Sequence, residues 1–274
     1  MNPKSIDKVD DTQQSYMDKN DIKHMICDWL PKMMNIVPHI QSFYAWWNIS
    51  LLNKPTIGIV WPRKMSIYWQ KILDICFKQL KQYDIVTVSG GAIWTDTYVH
   101  TMSLTYNIPT IVVLWWWIWW YRDTGKIHFL EKVIEKWWLV LSEYDIFCTP
   151  QKYTFPQRNR IIAWLSDIIF LPEAGLASGS LITVDRGIEY GKKIYAPMQD
   201  IFSEYGKGVN QYIVDWKIIP TTTIFSFLDN YFVKRVSETI DTNKKTDNQK
   251  KKGISPSLTV SWSLVEQSML ELGL

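Results

Sequence analysis

The sequence has few cysteines and little glycine. Its three cysteines, Cys27, Cys76 and Cys148, stand far apart in a chain of 274 residues. Their number and spacing exclude a disulfide scaffold and a four-cysteine zinc site, and they are typical of a reducing compartment. We therefore expect a cytoplasmic protein. The 12 glycines fall below the ~19 expected from an average usage of about 7%.

Long apolar segments and a strong net charge are also absent. The apolar run over residues 110–121 has 12 residues, whereas a membrane-spanning helix needs about 20. The N-terminal segment MNPKSIDKVDDTQQ is polar, and it predicts no signal peptide. A net charge of +3 permits a polyanionic partner but does not require one.

From Lys54 onward, short β-branched runs alternate with segments of helical periodicity. Apolar residues make up 47% of the chain, which is enough to bury a core. The runs predict strands over residues 56–60, 85–88, 110–114, 139–141, 167–171 and 193–196, with helices near 66–81, 95–106, 127–136, 157–165 and 180–190. Strands that are apolar on both faces and alternate with helices predict an α/β fold, a Rossmann-like parallel sheet with helices on both faces.

The rest of the chain reads as appendages to this domain. Apolar residues from Ile22 to Met34 have helical spacing, so we interpret residues 1–50 as an N-terminal helical lead-in. The Rossmann-like domain then covers residues 51–233. Residues 234–253 hold six lysines without apolar periodicity and predict a solvated linker. Residues 254–274 form a short C-terminal segment.

In a parallel α/β sheet, ligands bind at the carboxyl ends of the strands. Four loops at these ends carry cations, glycines or hydroxyl groups: Trp61 to Ser66, Ser89 to Asp96, Phe155 to Ile162, and Glu173 to Thr183. Each loop taken alone also fits an ordinary capped turn. Together at one edge they favour an anion-binding site.

Asp96 and His100 lie one helical turn apart and have the spacing of two metal ligands. No third ligand is evident in the sequence. We therefore favour a helix cap with a hydrogen-bonded histidine, and we predict no metal, no cofactor and no catalytic residue.

These loops, in this order, resemble the DNA processing protein A family (DprA/Smf) from about Lys54 to Pro220. The segments that carry the resemblance are Gly58 to Ser66, Val88 to Ala92, Asp96 with His100, Leu141 to Glu143, Phe155 to Ala163, Leu165-Ser166, Glu173-Ala174, Ser178 to Thr183, and Gly208 to Asn210. The Arg-Asn-Arg segment followed by the Ser-Gly-Ser loop is the most specific part.

The resemblance implies a protein that binds and protects single-stranded DNA during DNA uptake, natural transformation and homologous recombination, and that delivers the strand to the RecA recombinase. It also implies a homodimer. The DNA phosphates are expected to contact Arg63, Lys64, Ser66, Ser89, Gly90, Gly91, Arg158, Asn159, Arg160, Ser178, Gly179, Ser180 and Thr183.

The alternative is a nucleotide-binding module or a phosphoribohydrolase that cleaves nucleoside monophosphates. Such phosphoribohydrolases use a similar sheet. Those enzymes share a Pro-Gly-Gly-x-Gly-Thr loop. The corresponding segment here, Glu173 to Ser180, does not match that loop. No Gly-x-x-x-x-Gly-Lys-Ser/Thr loop for nucleotide hydrolysis is present either.

The sequence has 16 tryptophans, and several of them stand where the family pattern has glycine. These positions are Trp61, Trp69, Trp94, Trp115 to Trp117, Trp138, Trp164 and Trp216. Tryptophan does not readily adopt the positive φ or permit the close ligand approach that glycine provides. Our hypothesis is that the gene uses UGA for glycine and that the codon has been read as tryptophan; about ten such positions would raise glycine to about 22, near the ~19 of average usage.

Overall fold

The β-branched runs form the strands of one mixed sheet. The computed structural model describes residues 11–19, 21–26, 42–62, 66–91, 96–114, 127–144, 154–222 and 225–235. Its strands are β1 (Ile22–Ile26), β2 (Ser42–Trp47), β3 (Thr56–Ile59), β4 (Val86–Gly90), β5 (Thr110–Leu114), β6 (Leu139–Ser142), β7 (Ile168–Phe170), β8 (Lys193–Pro197) and β9 (Ile219–Thr221). Its helices are α1 (Asp11–Lys19), α2 (Ile67–Leu80), α3 (Asp96–Tyr106), α4 (Ile127–Glu135), α5 (Thr154–Leu165), α6 (Ser180–Glu189) and α7 (Lys207–Val214).

The strand order is β1-β2-β6-β5-β4-β3-β7-β8-β9. The seven strands from β6 to β9 run parallel. The chain builds outward from β3 in one direction through β4, β5 and β6, and then returns to β7 on the other side of β3. The neighbours β3 and β7 therefore form the switch point of a doubly wound sheet, which is where such folds bind ligands. The predicted Rossmann-like α/β fold is confirmed.

Helices cover both faces of the sheet. Successive strand residues point to opposite sides, so neighbouring residues of β7 contact helices on different faces. Ile168 and Phe170 of β7 pack in the cluster that holds Leu73 of α2. Ile169, between them, packs with Ala163 of α5 and Val184 of α6. A Cβ on Gly58 would lie 2.2 Å from Ser166 Oγ, so glycine is needed where the end of α5 crosses β3.

The N-terminal residues differ from the predicted helical lead-in. The predicted helix from Ile22 to Met34 is wrong over residues 22–26, which form β1; residues 27–34 lie outside the described part. β1 pairs antiparallel with β2, and β2 pairs antiparallel with β6, so the sheet extends into this region and is not wholly parallel. β1 forms because the edge of β2 is available for pairing, which the helical spacing of the apolar residues does not reveal.

Residues 225–235 pack across the face of the sheet beside α2. The Tyr195 and Phe227 rings stack with centroids 4.0 Å apart, and Phe225 packs at 4.7 Å from Phe170. Lys234 forms a β-bridge with Tyr83. The predicted linker beyond Arg235 and the C-terminal segment lie outside the described residues. Within the described ranges, no helix is both long and apolar enough to cross a bilayer.

Three tryptophans have the left-handed backbone that favours glycine. Trp47, Trp137 and Trp216 have φ values of +76°, +57° and +59°. Trp216 is among the positions that the hypothesis named; Trp47 and Trp137 are new. Trp94 and Trp115 to Trp117 lie outside the described residues.

The other named tryptophans have no left-handed φ and are buried: Trp61, Trp69, Trp138 and Trp164. A different observation bears on two of them. The indole nitrogens of Trp61 and Trp69 are buried without a hydrogen-bond partner among the described residues, an arrangement that costs free energy. Glycine at positions 61 and 69 would remove both unpartnered nitrogens.

Trp216→Gly is expected to raise the free energy of unfolding by about 1 kcal/mol. The indole is 95% exposed, so little packing is lost. A left-handed backbone costs roughly 1–2 kcal/mol for an L-residue, and the greater entropy of unfolded glycine offsets part of the gain. Urea denaturation measures the change.

Trp216→Ala is the matched control, since it removes the same ring but keeps a Cβ at positive φ. It should gain nothing. Equal stability of the two variants would contradict backbone strain at this position. Peptide mass spectrometry of the protein from its natural source tests the codon hypothesis directly, and tryptophan found at position 216 would end it there.

Candidate nucleic-acid interface

The loops after β3 and β7 meet at the switch point. Ser66 caps α2, its Oγ accepting from the Trp69 amide at 3.4 Å. The Ser66 amide donates to Glu173 Oε2 at 3.0 Å. Glu173 is 2% exposed, and burial raises its pKa although the Ser66 amide acts in the opposite direction. The chain's own carboxylate thus occupies the amide at the start of α2, and a phosphate would have to compete with it.

The start of α6 is open. Gly179 is the N-cap residue and is exposed, and a Cβ built on it meets no atom within 4 Å. The Ser178 and Ser180 hydroxyl oxygens lie 2.6 Å apart, and the Ser180 amide donates to Ser178 Oγ at 3.3 Å. The Leu181 amide donates to the Ser178 carbonyl oxygen at 3.1 Å, so an anion here would be favoured by the hydroxyl groups and by the positive end of the helix rather than by these two amides.

Two further predicted residues lie beside this helix start. Asn159 of α5 donates through Nδ2 to the Gly179 carbonyl oxygen at 3.5 Å, which joins α5 to the loop after β7. Thr183, in the first turn of α6, is 1% exposed, and its hydroxyl has no hydrogen-bond partner within the part of the chain that the structure describes. The structure therefore brings five predicted residues together: Asn159, Ser178, Gly179, Ser180 and Thr183.

The predicted residues at the end of β4 are buried at the edge of the sheet. Ser89 is fully buried and donates to the Ile59 carbonyl oxygen at 2.8 Å. The Gly91 amide donates to the Val113 carbonyl oxygen at 3.0 Å. These groups hold neighbouring strands together, and in this structure they face protein rather than solvent.

His100 is a hydrogen-bonded core residue. Its Nε2 lies 3.1 Å from the Gly90 carbonyl oxygen and its Nδ1 lies 2.7 Å from Thr110 Oγ1. A carbonyl oxygen only accepts, so Nε2 carries the proton. With both ring nitrogens engaged, the prediction of a hydrogen-bonded histidine is confirmed. No cluster of metal-ligating side chains occurs among the described residues.

The two arginines of α5 do not face solvent. Arg158 is 1% exposed. Arg160 forms an ion pair with Glu143, with side-chain exposures of 14% and 15%. Burial raises the pKa of Glu143, and Arg160 opposes this. A phosphate on the surface therefore does not reach the Arg158 guanidinium, and at Arg160 it would have to compete with Glu143.

Arg63 and Lys64 lie outside the described residues, so their predicted phosphate contacts stay predictions. Their neighbours Pro62 and Ser66 belong to the loop at the switch point.

Two carboxylates of this edge were missing from the predicted site residues, Glu143 and Glu173. Each follows closely on the end of a buried strand, β6 and β7. The positional rule that selected the cations and hydroxyl groups would also have selected them. They matter because each occupies a group that the sequence assigned to phosphate: Glu173 binds the Ser66 amide and Glu143 binds Arg160.

The chain is similar to proteins of known identity. The DNA processing protein DprA of Streptococcus pneumoniae is 34% identical over 167 residues, covering 61% of this chain and 58% of that protein. The Bacillus subtilis DprA is 27% identical over 191 residues, 64% of each chain. The chain thus spans about three-fifths of the length of these curated relatives.

Solved structures agree with this similarity. DNA processing protein A from S. pneumoniae superposes with a TM-score of 0.68 at 26% identity, covering 80% of this chain and 78% of that one. A Helicobacter pylori DNA processing protein A, reported for its single-stranded DNA binding mode, gives 0.65 at 22% identity over 76% and 94% of the chains. The family model for DNA recombination-mediator protein A matches residues 27–226. The chain therefore belongs to the DNA recombination-mediator protein A family.

Proposed function

We propose that this protein binds single-stranded DNA at the carboxyl edge of its sheet, protects it, and delivers it to the RecA recombinase during DNA uptake and homologous recombination. The protein would act as a homodimer in the cytoplasm. The observation that carries the proposal is the open start of α6, where Gly179 and two serine hydroxyl groups meet beside the switch point. Membership of the family supports it.

The site favours phosphate over base recognition at this position. Amides, hydroxyl groups and Asn159 surround the helix start, and backbone phosphates are their natural anionic partner. Phosphate contacts carry no sequence information, so binding is expected to be independent of sequence and sensitive to salt. In this proposal Arg63 and Lys64 supply the positive charge.

Arg63→Ala is expected to weaken single-stranded DNA binding and to flatten its salt dependence. Removing one cation that neutralises a phosphate of a single strand reduces the slope of log K against log salt by about 0.7. Fluorescence anisotropy with an oligo-dT at several salt concentrations measures both quantities. Arg63→Lys keeps the charge and should keep the slope. An unchanged slope for Arg63→Ala would remove this residue from the interface, and wild-type protein that ignores oligonucleotides at low salt would overturn the proposal.

The enzyme alternative has one supporting observation, the buried Glu173 with a raised pKa at the switch point, since acid–base residues often have this environment. Its Oε2, however, accepts the Ser66 amide, which gives the carboxylate a structural role. Incubation with nucleoside monophosphates separates the two functions. Release of free base would favour a phosphoribohydrolase.

A further inference from the structure

The loop after β8 exposes large apolar side chains beside the start of α6. We name residues 198–206 the rim loop. Phe202 is 84% exposed, and Met198, Ile201 and Tyr205 are also exposed. Leu176, on the neighbouring loop after β7, adds a fifth exposed apolar side chain. A group of exposed apolar side chains of this kind marks a binding surface more often than a scattered single one does.

The base of the rim loop is held in place by hydrogen bonds. Gln199 donates through Nε2 to the carbonyl oxygens of Pro172 and Pro197, at 2.9 and 2.8 Å. The backbone amide of Gln199 donates to Asn210 Oδ1 at 3.1 Å, and Asn210 Nδ2 donates to the backbone carbonyl oxygen of Gln199 at 3.2 Å. A loop that is braced in this way loses little conformational entropy on binding.

The rim loop packs directly on the segment that leads to α6. The Gly208 amide, just past the loop, donates to the Ala174 carbonyl oxygen at 2.8 Å. A Cβ on Gly175 would lie 3.1 Å from the Glu204 carbonyl oxygen. The exposed apolar side chains are therefore one loop away from Gly179 and Ser180, on the same edge of the sheet.

The charges of the rim loop exclude phosphates from it. Asp200 accepts the Phe202 amide at 2.9 Å, which presents the ring outward, and Glu204 pairs with Lys207. The loop thus carries carboxylates beside exposed rings. A polyanion would turn its phosphates away from these carboxylates, whereas its uncharged bases have flat faces that stack on aromatic rings.

We propose that the rim loop is a stacking platform for the bases of single-stranded DNA, with Phe202 as the main ring and Tyr205 beside it. The inference rests on the proposed function and deepens it. Phosphates bind at the start of α6, and the bases of the same strand lie against the rim loop. Stacking is tolerant of sequence because every base has a π-face.

The test compares two ligands of equal length, an oligo-dT and an abasic deoxyribose-phosphate oligomer, by anisotropy with the full chain at fixed salt. Wild type should prefer oligo-dT. Phe202→Ala should lower the affinity for oligo-dT about tenfold and leave the affinity for the abasic oligomer unchanged. Phe202→Trp should retain the preference, whereas Phe202→Leu, which is apolar but lacks a ring, should lose it. Ile75→Ala, an exposed apolar position on α2, is the control.

The outcomes separate the two proposals. If wild type binds neither oligomer, the proposed function fails. If wild type binds both and Phe202→Ala weakens them equally or not at all, only the stacking platform is overturned. Retention of the preference by Phe202→Leu would show that the contact needs no ring and would also overturn it. A change of oligomeric state in Phe202→Ala, measured by light scattering, would identify a protein contact and would overturn it as well.

Discussion

Gly179→Asp is expected to lower the affinity for single-stranded DNA roughly a hundredfold while leaving the fold at least as stable. The carboxylate would stand where the proposed phosphate binds. Two like charges about 4 Å apart near a protein surface repel by roughly 4 kcal/mol before salt screening, and each 1.4 kcal/mol is a factor of ten in affinity.

The backbone accepts this change. Gly179 has φ −63°, and a Cβ there meets no atom within 4 Å. The negative charge of aspartate at the positive end of the helix is also favourable, by roughly 0.3–1 kcal/mol. The thermal midpoint should therefore stay level or rise while DNA binding is lost, a combination that local unfolding does not produce.

Gly179→Asn is the matched control for Gly179→Asp. It has nearly the same size without the charge, so it should keep most of the affinity. Anisotropy at low salt and a thermal melt of both variants complete the experiment. If the aspartate variant binds as well as the asparagine variant, the phosphate does not lie at the start of α6.

The central part of the fold was predictable because its signals are local. Buried β-branched runs set β3 to β8, and the helices between them begin at recognisable positions. Ser66 caps α2 and Gly179 precedes α6, as the sequence indicated. The rule that ligands bind at the carboxyl ends of parallel strands then placed Asn159 and Ser178 to Thr183 at one edge, where the structure brings them together.

The edge strands were not predictable from local pattern. Ile22, Met25 and Ile26 satisfy a helical spacing, and β1 exists because β2 offers a hydrogen-bonding edge. Strand formation of this kind depends on a partner that is distant in sequence. The same reason explains why β9, which completes the other side of the sheet, was absent from the prediction.

The arginines show a second limit. The Arg-Asn-Arg segment indicates a cationic cluster, but sequence alone does not reveal that Glu143, 17 residues earlier, is the partner of Arg160. The charge of a residue is local information, whereas its neutralisation depends on the tertiary structure. The tryptophans are subject to a similar limit: the family pattern points to Trp138, while the left-handed backbone lies at Trp137.

The ion pair between Glu143 and Arg160 joins the loop after β6 to α5. Both side chains are mostly buried, and Arg160 Nη1 and Glu143 Oε2 have no hydrogen-bond partner among the described residues. The raised pKa of Glu143 indicates that the cost of burying its charge exceeds the attraction of Arg160. Such a pair contributes little net stability, but removing one member leaves a buried charge without compensation.

Glu143→Ala is therefore expected to destabilise the protein by about 3 kcal/mol, because Arg160 remains buried and charged. In a domain of this size the thermal midpoint should fall by roughly 10 °C. The double variant Glu143→Met with Arg160→Met replaces the pair by apolar side chains of similar volume and should recover wild-type stability, since neither charge is then buried. Calorimetry of the wild type, Glu143→Met, Arg160→Met and the double variant gives the coupling free energy. If the double variant loses as much stability as the two single variants added together, the two side chains do not interact, and Arg160 becomes available again as a ligand for phosphate.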